Sequence, residues 1–124
     1  MYLPFESHSC PEIQIIMNDI QHFLTQLIDI PSITGDEQKV SHFLKDYLSE
    51  KGMSVHLMPV ASDRYNVYAT YSENPAVLLT THMDTVAPFI SSAIKDKTIY
   101  GRGACDAKGI IAAMVSALWG LEKK

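Results

Sequence analysis

The sequence lacks the features that mark membrane-spanning, secreted and nucleic-acid-binding proteins. Its longest apolar runs fall far short of the roughly 20 residues that a membrane-spanning helix needs. There is no basic run and the net charge is −4, which argues against a nucleic acid or an anionic membrane as partner. Residues 1–10 have neither the basic start nor the apolar core of a signal peptide. We therefore expect a cytoplasmic protein.

Cysteine is scarce as well, because the chain contains only Cys10 and Cys105. The sequence leaves a disulfide between them open, but free thiols in a cytoplasmic protein are the simpler interpretation. Cys105 has no second cysteine at metal-ligand spacing. We therefore do not expect it to bind a metal.

Length and composition indicate a folded chain of one domain at most. The chain has 124 residues, of which 47% are hydrophobic and 19% charged. These values exclude a disordered chain. We expect residues 1–10 to form an N-terminal arm and residues 11–124 to form the folded part.

Hydrophobic periodicity predicts three helices. The first begins near Pro11 and ends before Pro31, because proline disfavours helical geometry in the residue before it. The second ends at Gly52, and the third covers residues 107–122.

Two pairs of residues have the spacing of a helix capping box. Ser9 and Glu12 precede the first helix, and Thr34 and Glu37 precede the second. We therefore expect Thr34 to cap the second helix, and we assign no chemistry to residues 31–37.

Alternating apolar residues predict strands over 53–57 and 65–71, and a short hairpin over 95–100 that turns at Asp96-Lys97. Residues 76–81 are apolar and β-branched without alternation, which predicts a strand buried on both faces. The order of elements indicates an α/β sandwich with a mixed sheet.

Two polar motifs follow or precede these elements in places suited to a metal site. His82 and Asp84 come directly after residues 76–81, at the strand end where open α/β sheets bind ligands. They are two residues apart in extended chain, so their side chains point the same way. A neutral imidazole binds zinc, and a nearby carboxylate fixes its tautomer. Asp106 lies where a glycine-containing loop becomes the last helix, and a carboxylate can bridge two cations.

Residues 81–86, Thr-His-Met-Asp-Thr-Val, and 100–109, Tyr-Gly-Arg-Gly-Ala-Cys-Asp-Ala-Lys-Gly, resemble the two N-terminal motifs of the co-catalytic zinc amidohydrolases and metallopeptidases. That family includes acetylornithine deacetylase, succinyl-diaminopimelate desuccinylase, aminoacylase and carboxypeptidase G. The resemblance implies that His82 binds one metal and that Asp106 bridges both. It also implies that Asp84 supports the metal-bound His82 and is catalytic.

The resemblance carries further expectations about the fold and the reaction. It implies a three-layer α/β/α sandwich of the zinc-peptidase type and a cis peptide bond between Asp106 and Ala107. It implies two zinc ions, for which cobalt or manganese could substitute. The substrate would be an N-acyl amino acid or a small peptide, and a full-length form would be a homodimer.

Other residues that the resembled family requires are missing from this sequence. The family uses an adjacent Glu-Glu pair, in which one glutamate is the general base and the other a ligand, followed by a further carboxylate and a distant histidine. The chain contains no Glu-Glu pair, and its other histidines all precede the two motifs. We therefore expect the N-terminal portion of a catalytic domain, inactive on its own.

Two alternatives remain open at this point. A nucleotide-binding module is suggested by Gly101-x-Gly103 before a helix. However, the sixth position of the dinucleotide fingerprint is Asp106, whose charge would repel a pyrophosphate. The other alternative is a catalytically inactive remnant of the same ancestry, which metal-dependent hydrolysis would exclude.

Overall fold

The computed structural model of the protein describes the backbone of residues 11–122 and the side chains of residues 18–120. The expected arm, residues 1–10, and the capping pair Ser9 and Glu12 lie outside what is described. The elements are α1 Pro11–Asp29, α2 Gln38–Glu50, β1 Ser54–Ala61, β2 Arg64–Thr70, β3 Ala93–Lys95, β4 Thr98–Tyr100 and α3 Lys108–Glu122. The predicted combination of helices and strands is confirmed. The predicted mixed sheet is wrong for the described residues, because their strands form two separate two-stranded antiparallel sheets. None of these three helices combines the length and hydropathy needed to cross a bilayer.

The three helices share one core because each presents an apolar stripe to the others. The Phe23 ring of α1 stacks on Tyr47 of α2, with ring centroids 4.0 Å apart. Burying an apolar side chain stabilises the fold by roughly 1.5–3 kcal/mol, so this core fixes where α3 begins relative to α1. The buried members are Phe23, Leu27, Val40, Leu44, Ile111 and Ala112.

The two predicted strands and the predicted hairpin are present, and the two strands pair with each other. β1 and β2 pair antiparallel and pack against α2. β3 and β4 pair antiparallel around Asp96 and Lys97. These two turn residues have φ values of 49° and 64°, the conformation of a two-residue type I′ turn. The tight turn therefore forms although Lys97 is not the glycine that this geometry favours.

The strand predicted over residues 76–81 is wrong. The structure has no strand there, and Val77 and Leu78 are 75% and 73% exposed. A strand needs a neighbour that pairs with its backbone amide and carbonyl groups. Within residues 11–122 the four strands form two separate two-stranded antiparallel sheets. None of these strands pairs with the segment, and its apolar side chains lie open to solvent.

The capping box predicted for α2 is also wrong. Glu37 stands at the N-cap position of α2 and makes no side-chain capping bond. Its carboxylate instead accepts hydrogen bonds from the Gly35 amide and from Arg64. The Thr34 hydroxyl donates to Asp84. Both side chains therefore hold the loop that precedes the helix rather than the first turn of the helix.

Candidate metal centre

The structure brings together the three residues that the sequence singled out. His82 Nε2 lies 2.9 Å from Asp106 Oδ1. His82 Nδ1 lies 3.1 Å from Asp84 Oδ1 and 3.1 Å from the Asp84 carbonyl oxygen. The imidazole is thus placed between two carboxylates. The side chains of His82 and Asp106 are 53% and 82% exposed, and all three residues line an open cavity of about 440 Å³. A ligand can reach them from solvent.

The groups around His82 and Asp84 shift the pKa values of these two residues in opposite directions. The hydrogen bond with Asp106 raises the pKa of His82, and this effect outweighs the desolvation that would lower it. The pKa of Asp84 is lowered, first by the hydrogen bond from the Thr34 hydroxyl and then, against some desolvation, by the nearby His82. Hydrogen bonds to a carboxylate favour its charged form. Asp84 is therefore ionised at neutral pH, the form that accepts a hydrogen bond from the imidazole N–H.

Asp106 is positioned by the anchored start of α3. The peptide bond between Asp106 and Ala107 is cis, as the resemblance implied. Ala107 is fully buried, and Lys108 is 1% exposed. The Lys108 ammonium donates a hydrogen bond of 2.6 Å to the Ile30 carbonyl, just beyond the end of α1. Burial lowers the pKa of Lys108 to about 8. The first residue of α3, two residues after Asp106, is thereby held by a hydrogen bond to the residue that follows α1.

The burial of Lys108 was not predicted, although its position in the sequence indicates it. Lys108 lies three and four residues before the buried Ile111 and Ala112, so it falls on the apolar stripe of α3. A lysine on such a stripe must find an acceptor when it is buried. Thr34 was assigned to a cap, and no pattern in the sequence links it to Asp84, which lies 50 residues away.

The Gly-x-Gly spacing before α3 is explained by packing. Gly101 has a φ of 143°, and a methyl group on it would lie 2.5 Å from the Ile28 side chain. Gly103 has a φ of 88°, and a methyl group there would lie 3.0 Å from Lys108 and from Thr85. The amides of Arg102, Ala104 and Gly109 donate to backbone carbonyls. These three N–H groups are therefore engaged within the chain, which counts against a phosphate cradle.

We expect Gly101→Ala to lower the free energy of unfolding by about 2 kcal/mol or more, because the new methyl group overpacks the buried Ile28 at a positive φ. Gly120→Ala is the matched control, since no atom lies within 4 Å of that position and φ is not positive. It should raise the free energy by roughly 0.5–1 kcal/mol, because alanine favours the helix. Urea unfolding measures both. Equal stability of Gly101→Ala and wild type would contradict this packing.

Residues 32–34 are fastened to the strand-like segment that carries Asp84. The Thr85 amide donates to the Ser32 carbonyl at 2.7 Å, and the Thr34 amide donates to the Thr85 carbonyl at 3.2 Å. The Ser32 hydroxyl donates to the Met83 carbonyl at 2.9 Å. An isolated parallel bridge joins Ile33 to Thr85. The loop before α2 is therefore attached to the segment that carries Asp84.

The loop before α2 is also held by a bidentate ion pair between Glu37 and Arg64. The buried Glu37 carboxylate accepts 2.7 Å and 2.8 Å hydrogen bonds from the Arg64 guanidinium of β2. One of its oxygens also accepts the Gly35 amide at 2.8 Å. These bonds, the one from Arg64 first, hold the pKa of Glu37 below its ordinary value of 4.5, against the effect of burial. The pair links β2 to the loop that contacts Asp84.

This pKa predicts a specific acid sensitivity. The folded protein binds fewer protons at Glu37 than the unfolded chain does, so the stabilisation is complete above about pH 4.5 and is lost as pH falls through the lower folded pKa. Glu37→Gln should remove that part of the pH dependence and cost about 1–2 kcal/mol at pH 7. Glu73→Gln, at an exposed position, is the control. An unchanged acid profile in Glu37→Gln, measured by denaturant unfolding from pH 3 to pH 7, would refute this role.

The donor atoms suit zinc in kind but not in number. An imidazole nitrogen and a carboxylate oxygen are both ordinary zinc ligands. His82 Nε2 and Asp106 Oδ1 already point at one another across 2.9 Å, so a small movement would place a cation between them. In the part of the chain that the structure describes, no three His, Cys, Asp or Glu residues are arranged to hold a metal. Zinc sites have three or four protein ligands. These residues therefore fit part of a site.

Comparison with known proteins identifies a family and several relatives. Residues 78–124 match the model of Peptidase family M20/M25/M40. A Peptidase M20 domain-containing protein of Schizosaccharomyces pombe is 46% identical over 97 residues, which are 74% of this chain and 24% of the relative. A probable carboxypeptidase of Emericella nidulans is 41% identical over 102 residues, 73% of this chain and 24% of the relative.

The similarity extends to the N-terminal half of the chain. A probable carboxypeptidase of Aspergillus clavatus is 35% identical over 124 aligned residues, 89% of this chain and 27% of the relative. The chain therefore spans about a quarter of the length of the curated relatives it matches. The matched segment 78–124 contains His82, Asp84 and Asp106. The family resemblance predicted from the two motifs is confirmed, because residues 78–124, which contain both motifs, match the model of Peptidase family M20/M25/M40.

Proposed function

We propose that the chain supplies part of the active site of a zinc-dependent hydrolase that cleaves amide bonds in N-acyl amino acids or small peptides. The observation that carries the proposal is the placement of the His82 imidazole, with Asp106 at Nε2 and Asp84 at Nδ1. The family match supports hydrolysis of peptide-type bonds, and two of the relatives described above are named probable carboxypeptidases.

Each of the three residues has a distinct part in this proposal. His82 would bind one metal through Nε2, and Asp106 would use its two carboxylate oxygens to bridge two metals. Asp84 would accept a hydrogen bond from the N–H at Nδ1, which fixes the tautomer that leaves Nε2 free to bind. The bound metal would polarise the substrate carbonyl and lower the pKa of a water molecule toward 7. Cobalt or manganese could replace zinc.

The proposal extends to a longer polypeptide, because the ligand set here is incomplete. We propose that a full-length form completes a three-layer α/β/α sandwich and supplies the general base and the remaining ligands. It would act in the cytoplasm as a homodimer. A polypeptide of these 124 residues alone would then be inactive. The catalytically inactive remnant is the alternative, and it differs only in lacking turnover at natural length.

The test measures zinc-dependent hydrolysis by the protein purified at its natural length. The intact mass of the protein from its native source establishes that length. The substrates are N-acetylornithine, succinyl-diaminopimelate, simple N-acyl amino acids and dipeptides. We expect turnover of at least one class, its loss on chelation and its return with zinc. Absence of turnover across the panel at full zinc occupancy would favour the inactive remnant. Saturable dinucleotide binding without metal would favour the nucleotide-binding module.

A further inference from the structure

The Asp84 carboxylate is held on both of its oxygens by different parts of the chain. Oδ1 faces His82 Nδ1 at 3.1 Å. Oδ2 accepts a hydrogen bond of 2.6 Å from the Thr34 hydroxyl. A carboxylate that bonded only to His82 could rotate and exchange its two oxygens. The second bond removes that freedom, so the direction in which Oδ1 meets the imidazole depends on Thr34.

The Thr34 hydroxyl is itself held in a fixed place. The backbone amide of Thr34 donates to the carbonyl of Thr85, which is one residue beyond Asp84. The backbone at Thr34 therefore lies beside the segment that carries Asp84. The next residue, Gly35, donates its amide to Glu37. Glu37 in turn is clamped by Arg64. Thr34 is therefore fixed on one side by the segment that carries Asp84 and on the other by the ion pair.

The alternative role for this hydroxyl, a helix cap, does not apply. α2 begins at Gln38, and Glu37 rather than Thr34 stands at its N-cap. The side chain of Thr34 is exposed at the surface of the site rather than packed in the core. Its contribution is therefore the single hydrogen bond to Asp84, which makes its effect on the site separable from an effect on the core.

We propose that Thr34 is a positioning residue of the metal centre, which orients Asp84 and through it the His82 imidazole. This inference rests on the proposed function, because it assumes that His82 binds the metal. The geometry forms a series in which each group fixes the next: Thr34 Oγ1, Asp84 Oδ2 and Oδ1, His82 Nδ1, and Nε2 facing Asp106. Partners of this kind, which orient a metal-binding histidine, typically change metal affinity or activity by roughly 10–100-fold.

The test uses the protein at its natural length and measures zinc affinity by competition with a chelator. Thr34→Val keeps the shape and removes the hydroxyl, whereas Thr34→Ser keeps the hydroxyl. We expect Thr34→Val to weaken zinc binding about 10-fold or more, and Thr34→Ser to stay close to wild type. Thr25→Val is the matched control, because the Thr25 hydroxyl bonds only within α1, to the His22 carbonyl. It should leave zinc affinity unchanged.

A double-mutant cycle separates positioning from a general structural effect. In an Asp84→Asn background, Thr34→Val should cause little further loss of zinc affinity, because the carboxylate that it orients is gone. The absorption spectrum of the cobalt-loaded protein should shift in Thr34→Val and return in Thr34→Ser, since it reports the ligand geometry. Additive losses in the cycle, or equal affinity of Thr34→Val and wild type, would overturn the proposal.

The remaining outcomes also decide the question. If Thr34→Val does not fold, Thr34→Ala takes its place in the cycle, and loss of the folded state in both would assign Thr34 to the fold and contradict positioning. If the wild-type protein binds no zinc, the proposed function fails and this inference fails with it. Normal zinc binding in wild type with no effect of Thr34→Val would overturn the inference alone.

Discussion

Asp106→Asn is expected to lower zinc-dependent hydrolysis by roughly 10³-fold or more in the protein at its natural length. An asparagine cannot bridge two cations as a carboxylate does, and the metal contributes several kcal/mol of charge stabilisation, of which about 4 kcal/mol corresponds to this factor. The Asp106 side chain is 82% exposed, so the fold should be unaffected. The loss should therefore appear in kcat/KM and in zinc content, with no change in thermal unfolding of the zinc-free protein.

Asp46→Asn is the control for this substitution, because Asp46 is an exposed carboxylate on α2 away from the site. It should keep wild-type activity. If Asp106→Asn kept more than a tenth of the wild-type kcat/KM with normal zinc content, Asp106 would not be a bridging ligand. The cavity that His82 and Asp106 line would then need a different function.

The second large effect concerns the 124-residue polypeptide by itself. It should show no measurable zinc-dependent hydrolysis of acyl amino acids, at least 10⁴-fold below the natural-length protein. The two proposed ligands, His82 and Asp106, are fewer than the three or four of a zinc site, so metal affinity should be weak. Loss of a general base alone typically lowers the rate by roughly 10²–10⁴-fold. The free-energy costs of weak metal binding and of the missing general base add, so the two reductions in rate multiply.

The same polypeptide should also associate in solution. Exposed apolar side chains occur along the segment that precedes His82 and in the loop after Asp84, including Val77, Leu78, Val86 and Ile90. Exposed apolar side chains in this number favour association, which sedimentation velocity would detect. Zinc-dependent turnover that His82→Ala abolishes would contradict the prediction of inactivity. It would show that a partner chain or a second copy completes the site.

Local patterns were sufficient to predict the helices, the strands β1 and β2, and the hairpin of β3 and β4. α1 ends at Asp29, just before the predicted limit at Pro31, because proline restricts the preceding residue. The hairpin turn at Asp96-Lys97 was located although lysine is a poor residue for it. In each case the signal lies within a few residues, so no distant contact is needed to read it.

The predictions that failed depend on distant partners. Residues 76–81 have the composition of a buried strand, but composition does not reveal whether a neighbouring strand is present to pair with them. Thr34 and Glu37 have capping-box spacing, yet their actual partners, Asp84 and Arg64, lie 50 and 27 residues away. Such pairings become visible only when the fold brings the segments together. The proximity of His82, Asp84 and Asp106 could be predicted because His82 and Asp84 are two residues apart in extended chain and both motifs are distinctive.

The most direct test of the central claim is the position of zinc in a crystal of the natural-length protein, located by anomalous scattering at the zinc absorption edge. We expect a zinc peak bonded to His82 Nε2 and to a carboxylate oxygen of Asp106, each at about 2.0–2.2 Å. Asp84 should contact His82 Nδ1 without touching the metal. Zinc at full occupancy elsewhere in the protein, with His82 and Asp106 still hydrogen-bonded to each other, would contradict the proposed role of these two residues as metal ligands.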